Sequence, residues 1–277
     1  VFTPKVSMSW NYNQDSILYA VASEGFRPGG GQERLPGVCN DDLIDYGFVD
    51  DAGNAAPPTQ YDSDSVWNYE IGTKSRMLGG KVTVDGSAYM LKWDDIQTRI
   101  GLPVCAYGVT TNLGEATSQG FDLSVNLQPT DSLSILASVG YNETKFDVTT
   151  TAFNEGDYVP ETGAPWVVRL AGDYVQPFGN DMEFFARFDA VYNSKDRLTG
   201  SLNPNSPSYQ PLDMAPPDST IVNARLGVRF ANIDVTFFAD NLFNYDDPQF
   251  VNHVRGVLYL EDYLPPRTFG VSASASF

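Results

Sequence analysis

From Phe269 to Phe277 apolar and polar positions alternate without a break: Phe269, Val271, Ala273, Ala275 and Phe277 against Gly270, Ser272, Ser274 and Ser276. A period of two marks a β-strand with one face in an apolar medium and the other in a polar one. The same pattern recurs upstream. In "IVNARLGVRF" Val222, Ala224, Leu226, Val228 and Phe230 oppose Asn223, Arg225, Gly227 and Arg229. In "DMEFFARFDAVYN" Met182, Phe184, Ala186, Phe188, Ala190 and Tyr192 oppose Glu183, Arg187, Asp189 and Asn193. In "GFDLSVNLQ" Phe121, Leu123, Val125 and Leu127 oppose Asp122, Ser124 and Asn126. The pattern predicts about eleven strands, near 4–12, 16–26, 64–78, 81–97, 113–128, 132–147, 165–177, 181–193, 220–231, 233–243 and 267–277, with no helical periodicity. Connections alternate in length. Turn-like ones fall at 13–15, 79–80, 129–131, 178–181 and 231–232. Long polar ones, rich in Gly, Pro, Asp and Asn, fall at 27–63, 98–112, 148–164, 194–219 and 244–266. A rim of short turns opposite a rim of long loops is the anatomy of an outer-membrane barrel.

Alternation alone suits a soluble β-sandwich or lectin-like protein as well, with the polar face outside instead of lining a lumen. Strand length separates the two readings. Sandwich strands usually run five or six residues, and several here read as about 11 to 16, the length of a tilted bilayer crossing plus a rim. Aromatics gather near strand ends, among them Trp10, Tyr12, Trp67, Tyr69, Tyr141, Trp166 and Tyr192, as interfacial girdles do. No stretch approaches the roughly 18 apolar residues of a spanning helix, so strands must make any crossing, and only a closed barrel satisfies their backbone groups in lipid.

Composition then narrows the partners. With 35 acidic residues against 17 Lys and Arg, the net charge is −18, and nucleic acid would be repelled. The opening "VFTPKVSMSW" has neither an initiator Met nor the basic and apolar regions of a signal peptide. The chain therefore reads as starting within a longer protein.

Specific stretches carry a family resemblance. "SILYAVASEGFRPGG", "WNYEIGTKSRMLGGKVTVDGSAYMLKWDDIQ", "NLGEATSQGFDLSVNLQPTDSLSILASVGYNETKF", "DVTFFADNLFNYDDPQF" and "LPPRTFGVSASASF" resemble, in order, the signatures of TonB-dependent outer-membrane receptors. Its most specific parts are the run 70–74, the stretch Asn112 to Gly120 and the triplet Asn241, Leu242, Phe243. The resemblance implies an all-β, antiparallel, up-and-down transmembrane β-barrel of 22 strands around a plugged lumen. Residues 1–277 would then be the C-terminal half of the wall, with the plug domain, the TonB box and the N-terminal barrel strands outside this chain. It implies further that Phe277 resembles the terminal aromatic read by the barrel-assembly machinery, or anchors at the periplasmic interface. The family often places a glycine some residues before the end, and Gly270 would fill that place at a larger offset from Phe277 than the common pattern.

Other residues admit plain readings beside sharper ones. Cys39 and Cys105 are the only cysteines and fall in two long loops of one rim. An oxidising compartment favours a disulfide between them, the alternative being two free thiols. His253, the only histidine, sits in the last long loop with no nucleophile spacing around it and reads as a surface residue. Acidic runs at 40–54 and 244–250 offer oxygen ligands but match no calcium loop, and read as solvated loops. Tyr46, Tyr61, Tyr107, Tyr158, Tyr209 and Tyr259 lie in the long loops, where they either stack on a ligand or pack the loops together.

The resemblance implies an outer-membrane receptor of a Gram-negative bacterium, which takes up a scarce, bulky nutrient energised by the TonB complex through the plug. The family's usual substrates are ferric siderophores, haem, cobalamin and oligosaccharides. Outer-membrane lipid, the assembly machinery and a small-molecule or glycan substrate are the expected partners, with no nucleic acid and no cofactor. The alternatives are a passive porin-like channel and a soluble secreted carbohydrate-binding protein. No nucleophile–base set or metal-ligand spacing indicates an enzyme. The acidic loops tilt the substrate toward neutral glycans or a cationic ligand, and the polar-face arginines Arg169, Arg187, Arg225 and Arg229 pull the other way.

Overall fold

The structure is a computed structural model that describes residues 2–102, 104–159, 164–179, 181–195, 202–207, 209, 214–248, 250–254 and 258–275, with the backbone alone from 250 to 254 and 258 to 261. In chain order the first strands are β1 (Lys5–Asn13), β2 (Ser16–Arg27) and the two-residue β3 (Gly30–Gly31). A short helix α1 (Asn40–Asp45), β4 (Gln60–Tyr61), β5 (Asp64–Met77) and β6 (Val82–Asp94) follow. Next come β7 (Gln97–Leu102), β8 (Tyr107–Asn112), β9 (Ala116–Thr130), β10 (Leu133–Phe146), β11 (Trp166–Phe178) and β12 (Met182–Asn193). The chain finishes with β13 (Ser219–Phe230), β14 (Ile233–Asp240), β15 (Phe250–Val254), β16 (Leu258–Asp262) and β17 (Thr268–Ala275).

Eleven of these strands form one antiparallel sheet in the order β1-β2-β5-β6-β9-β10-β11-β12-β13-β14-β17. They match the strands expected from alternation, and the two ends of the sheet, β1 and β17, are its edges. Short turns join strands at one rim, as at 14–15 and 231–232, and connections such as 28–63 and 147–159 stand on the other. Gly79 and Gly80, at φ 67° and 92°, supply the left-handed backbone of the turn between β5 and β6.

Register sorts the side chains as the sequence pattern does. Leu226 lies opposite Ala186 and Phe237, whereas Arg225 lies opposite Arg187 and Phe238. One face is apolar and open: Val6 is 71% exposed, Ile71 61% and Val271 70%. A sandwich would cover that face with a second sheet, but among the described residues nothing does. An exposed apolar face of this size marks a protein or membrane contact, and its alternation strand by strand is that of a barrel wall facing lipid. The other face carries the charges, and they pair along the wall. Arg229 bonds Glu183 at 2.7 Å and Asp234 at 2.9 Å, and Arg225 bonds Asp240 at 3.2 Å.

The main buried core lies in the loops, above the wall. Cys39, Leu43, Ile100, Leu102, Val109, Phe146 and Phe153 are nearly or fully buried together, with Phe146 and Phe153 stacked at 4.4 Å.

Several local expectations give way here. The stretches expected as the loops 98–112 and 244–266 each hold a hairpin, β7 with β8 and β15 with β16. The strand expected over 81–97 ends at Asp94, since Asp95 turns left-handed at φ 54°. The supposedly helix-free loop 27–63 holds α1, six residues long and too short for a helical period to show.

Candidate functional site

On the long-loop rim, side chains fold three connections, 28–63, 95–115 and 147–159, into one cap. Cys39 and Cys105 are joined by a disulfide with Cα atoms 5.1 Å apart. Beside it the buried carboxylate of Asp42 accepts from the Val104 N–H at 2.8 Å and the Cys105 N–H at 3.0 Å, so α1 is tied to the tip of the second loop. Gln32 makes a paired contact with β8: the Thr110 N–H donates to its Oε1 at 2.9 Å while its Nε2 donates to the Thr110 carbonyl.

Asp64, at the head of β5, fastens the cap to the wall. Its carboxylate receives the guanidinium of Arg27, the Trp93 indole N–H at 3.0 Å and the Gln97 backbone N–H at 3.0 Å, and its side chain is 1% exposed. The Arg27 guanidinium lies over the Trp93 ring, 4.5 Å from its centroid. The Gln97 amide donates to the carbonyls of Pro28 and Asp62, which brings the ends of two loops together. Among the described residues no buried side-chain nitrogen or oxygen lacks a partner, so the cap is fully bonded.

The acidic run 40–54 is largely used within the loop itself. Hydrogen bonds from the Asn54 backbone and side chain hold the Asp50 carboxyl below the usual carboxylate range. This turn's bonding is complete above the ordinary carboxylate pKa and is lost as the pH falls through the lowered one. Among the described residues no three His, Cys, Asp or Glu side chains converge on a metal position.

The loop tyrosines take different places. Tyr46 packs against the cap core. Tyr61 pairs with Gly30 and spreads its ring over it. Tyr158 donates to Glu143 at 3.2 Å, with the Lys145 ammonium 5.0 Å from its ring. Tyr107 is 49% exposed and Tyr209 38%. The side chains of Tyr259 and His253, and Phe277 entirely, lie outside the described residues. Asn241, from the most specific triplet of the sequence, is 5% exposed and binds the ends of the last long connection: its amide donates to the carbonyls of Tyr245 and Pro265. Sequence reading missed Asp42, Asp64, Gln32 and Gln97, since nothing in their spacing distinguishes them from other loop polar residues.

On the lumen face a recess of about 650 Å³ lies below the cap. Lys74, Asp85, Tyr89, Asp122, Asn142 and Arg169 line it. The arrangement suits polar recognition of a solute or polypeptide surface and holds no catalytic set.

A family model described as TonB dependent receptor-like, beta-barrel, matches residues 1–242. The metal-pseudopaline receptor CntO of Pseudomonas aeruginosa is 28% identical over 139 residues, which is 50% of this chain and 16% of that protein. Among solved structures, the ferric yersiniabactin uptake receptor FyuA of Yersinia pestis superposes with a TM-score of 0.74 at 14% identity, over 99% of this chain and 37% of that one. The copper transporter OprC gives 0.68 at 16% identity, over 99% and 39%. The chain thus spans well under half the length of the relatives it matches. The family consists of transport receptors, not enzymes. From its wall, its lumen charges and the match over residues 1–242, the chain belongs to the TonB-dependent receptor β-barrel family of the Gram-negative outer membrane.

Proposed function

We propose that residues 1–277 are the C-terminal wall of a receptor that binds a metal–chelator complex at its outer rim and imports it with TonB-delivered force. The plug and the remaining strands would lie on polypeptide beyond this chain. The observation that supports this reading is a bonded cap of three long connections seated on a wall with an apolar outer face and a charged inner face. The substrate class is suggested by what the relatives bind, a metal–pseudopaline complex and ferric yersiniabactin. The acidic loops, with Asp41, Asp45, Asp50 and Asp51 on one connection, favour a complex without large negative charge. Phe277 would serve as the signal to the assembly machinery.

Uptake of radiolabelled metal chelates into metal-starved cells tests the proposal. Deleting the gene is expected to abolish uptake of one chelate, and collapsing the proton gradient in the parent to do the same. Uptake that survives the collapse would identify a passive channel.

A further inference from the structure

Six glycines of the wall face the lumen: Gly25, Gly72, Gly120, Gly140, Gly227 and Gly270. Four of them sit directly opposite an aromatic residue of the neighbouring strand. The pairs are Tyr19 with Gly72, Tyr89 with Gly120, Phe185 with Gly227 and Phe238 with Gly270. A β-carbon at any of the four would come within 3.0 Å of ring or hydroxyl atoms of its partner, so each ring lies flat over bare backbone. Tyr19 continues along β5, where its hydroxyl donates to Glu70 at 2.7 Å.

Their distribution is not even. The eleven-stranded wall has ten seams, five closed by short turns and five bridged by the long connections. All four ring-on-glycine pairs fall on long-connection seams: β2/β5, β6/β9, β12/β13 and β14/β17. Among the described residues none falls on a short-turn seam. The remaining long-connection seam, β10/β11, has Tyr141 opposite Trp166 on the lipid face, with centroids 4.7 Å apart.

A tight turn fixes the register of the hairpin it closes, whereas a long loop leaves its strands free to slide. A slip of one residue turns every side chain to the wrong face, so lipid and water forbid it. A slip of two keeps every apolar residue outward, and alternation is blind to it. At the β6/β9 seam that slip would set the Tyr89 ring against Ser118 or Asp122 in place of Gly120, and at β12/β13 it would set Phe185 against Arg225 or Arg229. The ring would lose its seat and stand up from the wall. We propose that the four lumenal ring–glycine pairs are register locks, which exclude two-residue slips where the connecting loop cannot.

The test uses the full-length receptor assembling in its own outer membrane. Asp85→Cys with Ser124→Cys reports the native β6/β9 register, and Asp85→Cys with Asn126→Cys reports a two-residue slip. Wild-type protein and Tyr89→Phe, which keeps the ring, should form only the first cross-link and reach the heat-modifiable folded state at the same rate. Tyr89→Leu should yield the slipped cross-link as well and slow folding several-fold. Gly270→Ala, whose added β-carbon would meet the Phe238 ring first, should slow folding likewise at β14/β17. Phe121→Leu, an aromatic loss on the lipid face of the same seam, should do neither. Phe185→Leu repeats the folding-rate measurement at β12/β13, so degradation of one variant does not remove the test. Tyr89→Leu and Phe185→Leu folding at the parental rate, with no slipped cross-link, would overturn the proposal, as would an equal effect from Phe121→Leu. None of these readouts depends on what the receptor transports.

Discussion

One carboxylate, that of Asp64, joins the strand register below it to the loop structure above. It is buried and bonded to Arg27, Trp93 and Gln97, three residues from three different segments. Asp64→Ala strands the Gln97 N–H and the Trp93 indole, at a cost of about 1–3 kcal/mol for each buried group left unmade. The loss of the ion pair adds less, because Arg27 is half exposed. Loops 28–63 and 95–115 should then open more often, and trypsin should nick them at least tenfold faster in folded protein while the strands stay resistant; an unchanged digest would show that the hub is dispensable. Asp64→Asn should fall between parent and Asp64→Ala. Nothing in the sequence marks this residue among 35 acids, since its partners are 29 to 37 positions away and follow no period. Cys39 and Cys105 were readable for the opposite reason: with only two cysteines there is one possible pair.

At the scale of the element, period-two alternation carries the wall. Spin labels at Val271 and Ser272 should separate into a lipid-accessible site and a lumenal one, because Val271 shares its face with Phe237 and Ser272 with Thr236. Equal accessibility to a lipid-soluble relaxant at the two sites would reject the facing. Wall strands were legible because two media act on each of their residues in turn. The hairpin β7–β8 was not, although Ile100, Leu102 and Val109 are buried in it. It lies above the lipid against other loops, and the glycines Gly101 and Gly108 with Pro103 between them give it the composition of a loop. The cap core escaped notice for a related reason: it draws single apolar residues from separate connections, and no one segment shows a pattern.

For the whole molecule the two edges matter most. β1 and β17 each leave a row of backbone donors and acceptors unpaired within the sheet, and lipid offers them no partner. Residues 1–277 expressed alone and refolded in detergent micelles should therefore give no SDS-resistant, heat-modifiable band. Appearance of such a band would mean that β1 and β17 can close on each other. The two-edged wall matches FyuA over 37% of that chain, and under the function proposed above further strands pair with it at both sides.

The fused cap also bears on how such receptors can be recombined. Loops on a barrel are usually pictured as independent modules, exchangeable between relatives to exchange specificity. Here residues 28–63 and 95–115 share a disulfide, the Asp42 and Gln32 bonds and one apolar core with 147–159. A graft that imports one of them alone would orphan a thiol and open the core, so a working chimera has to carry all three together as a single inherited block.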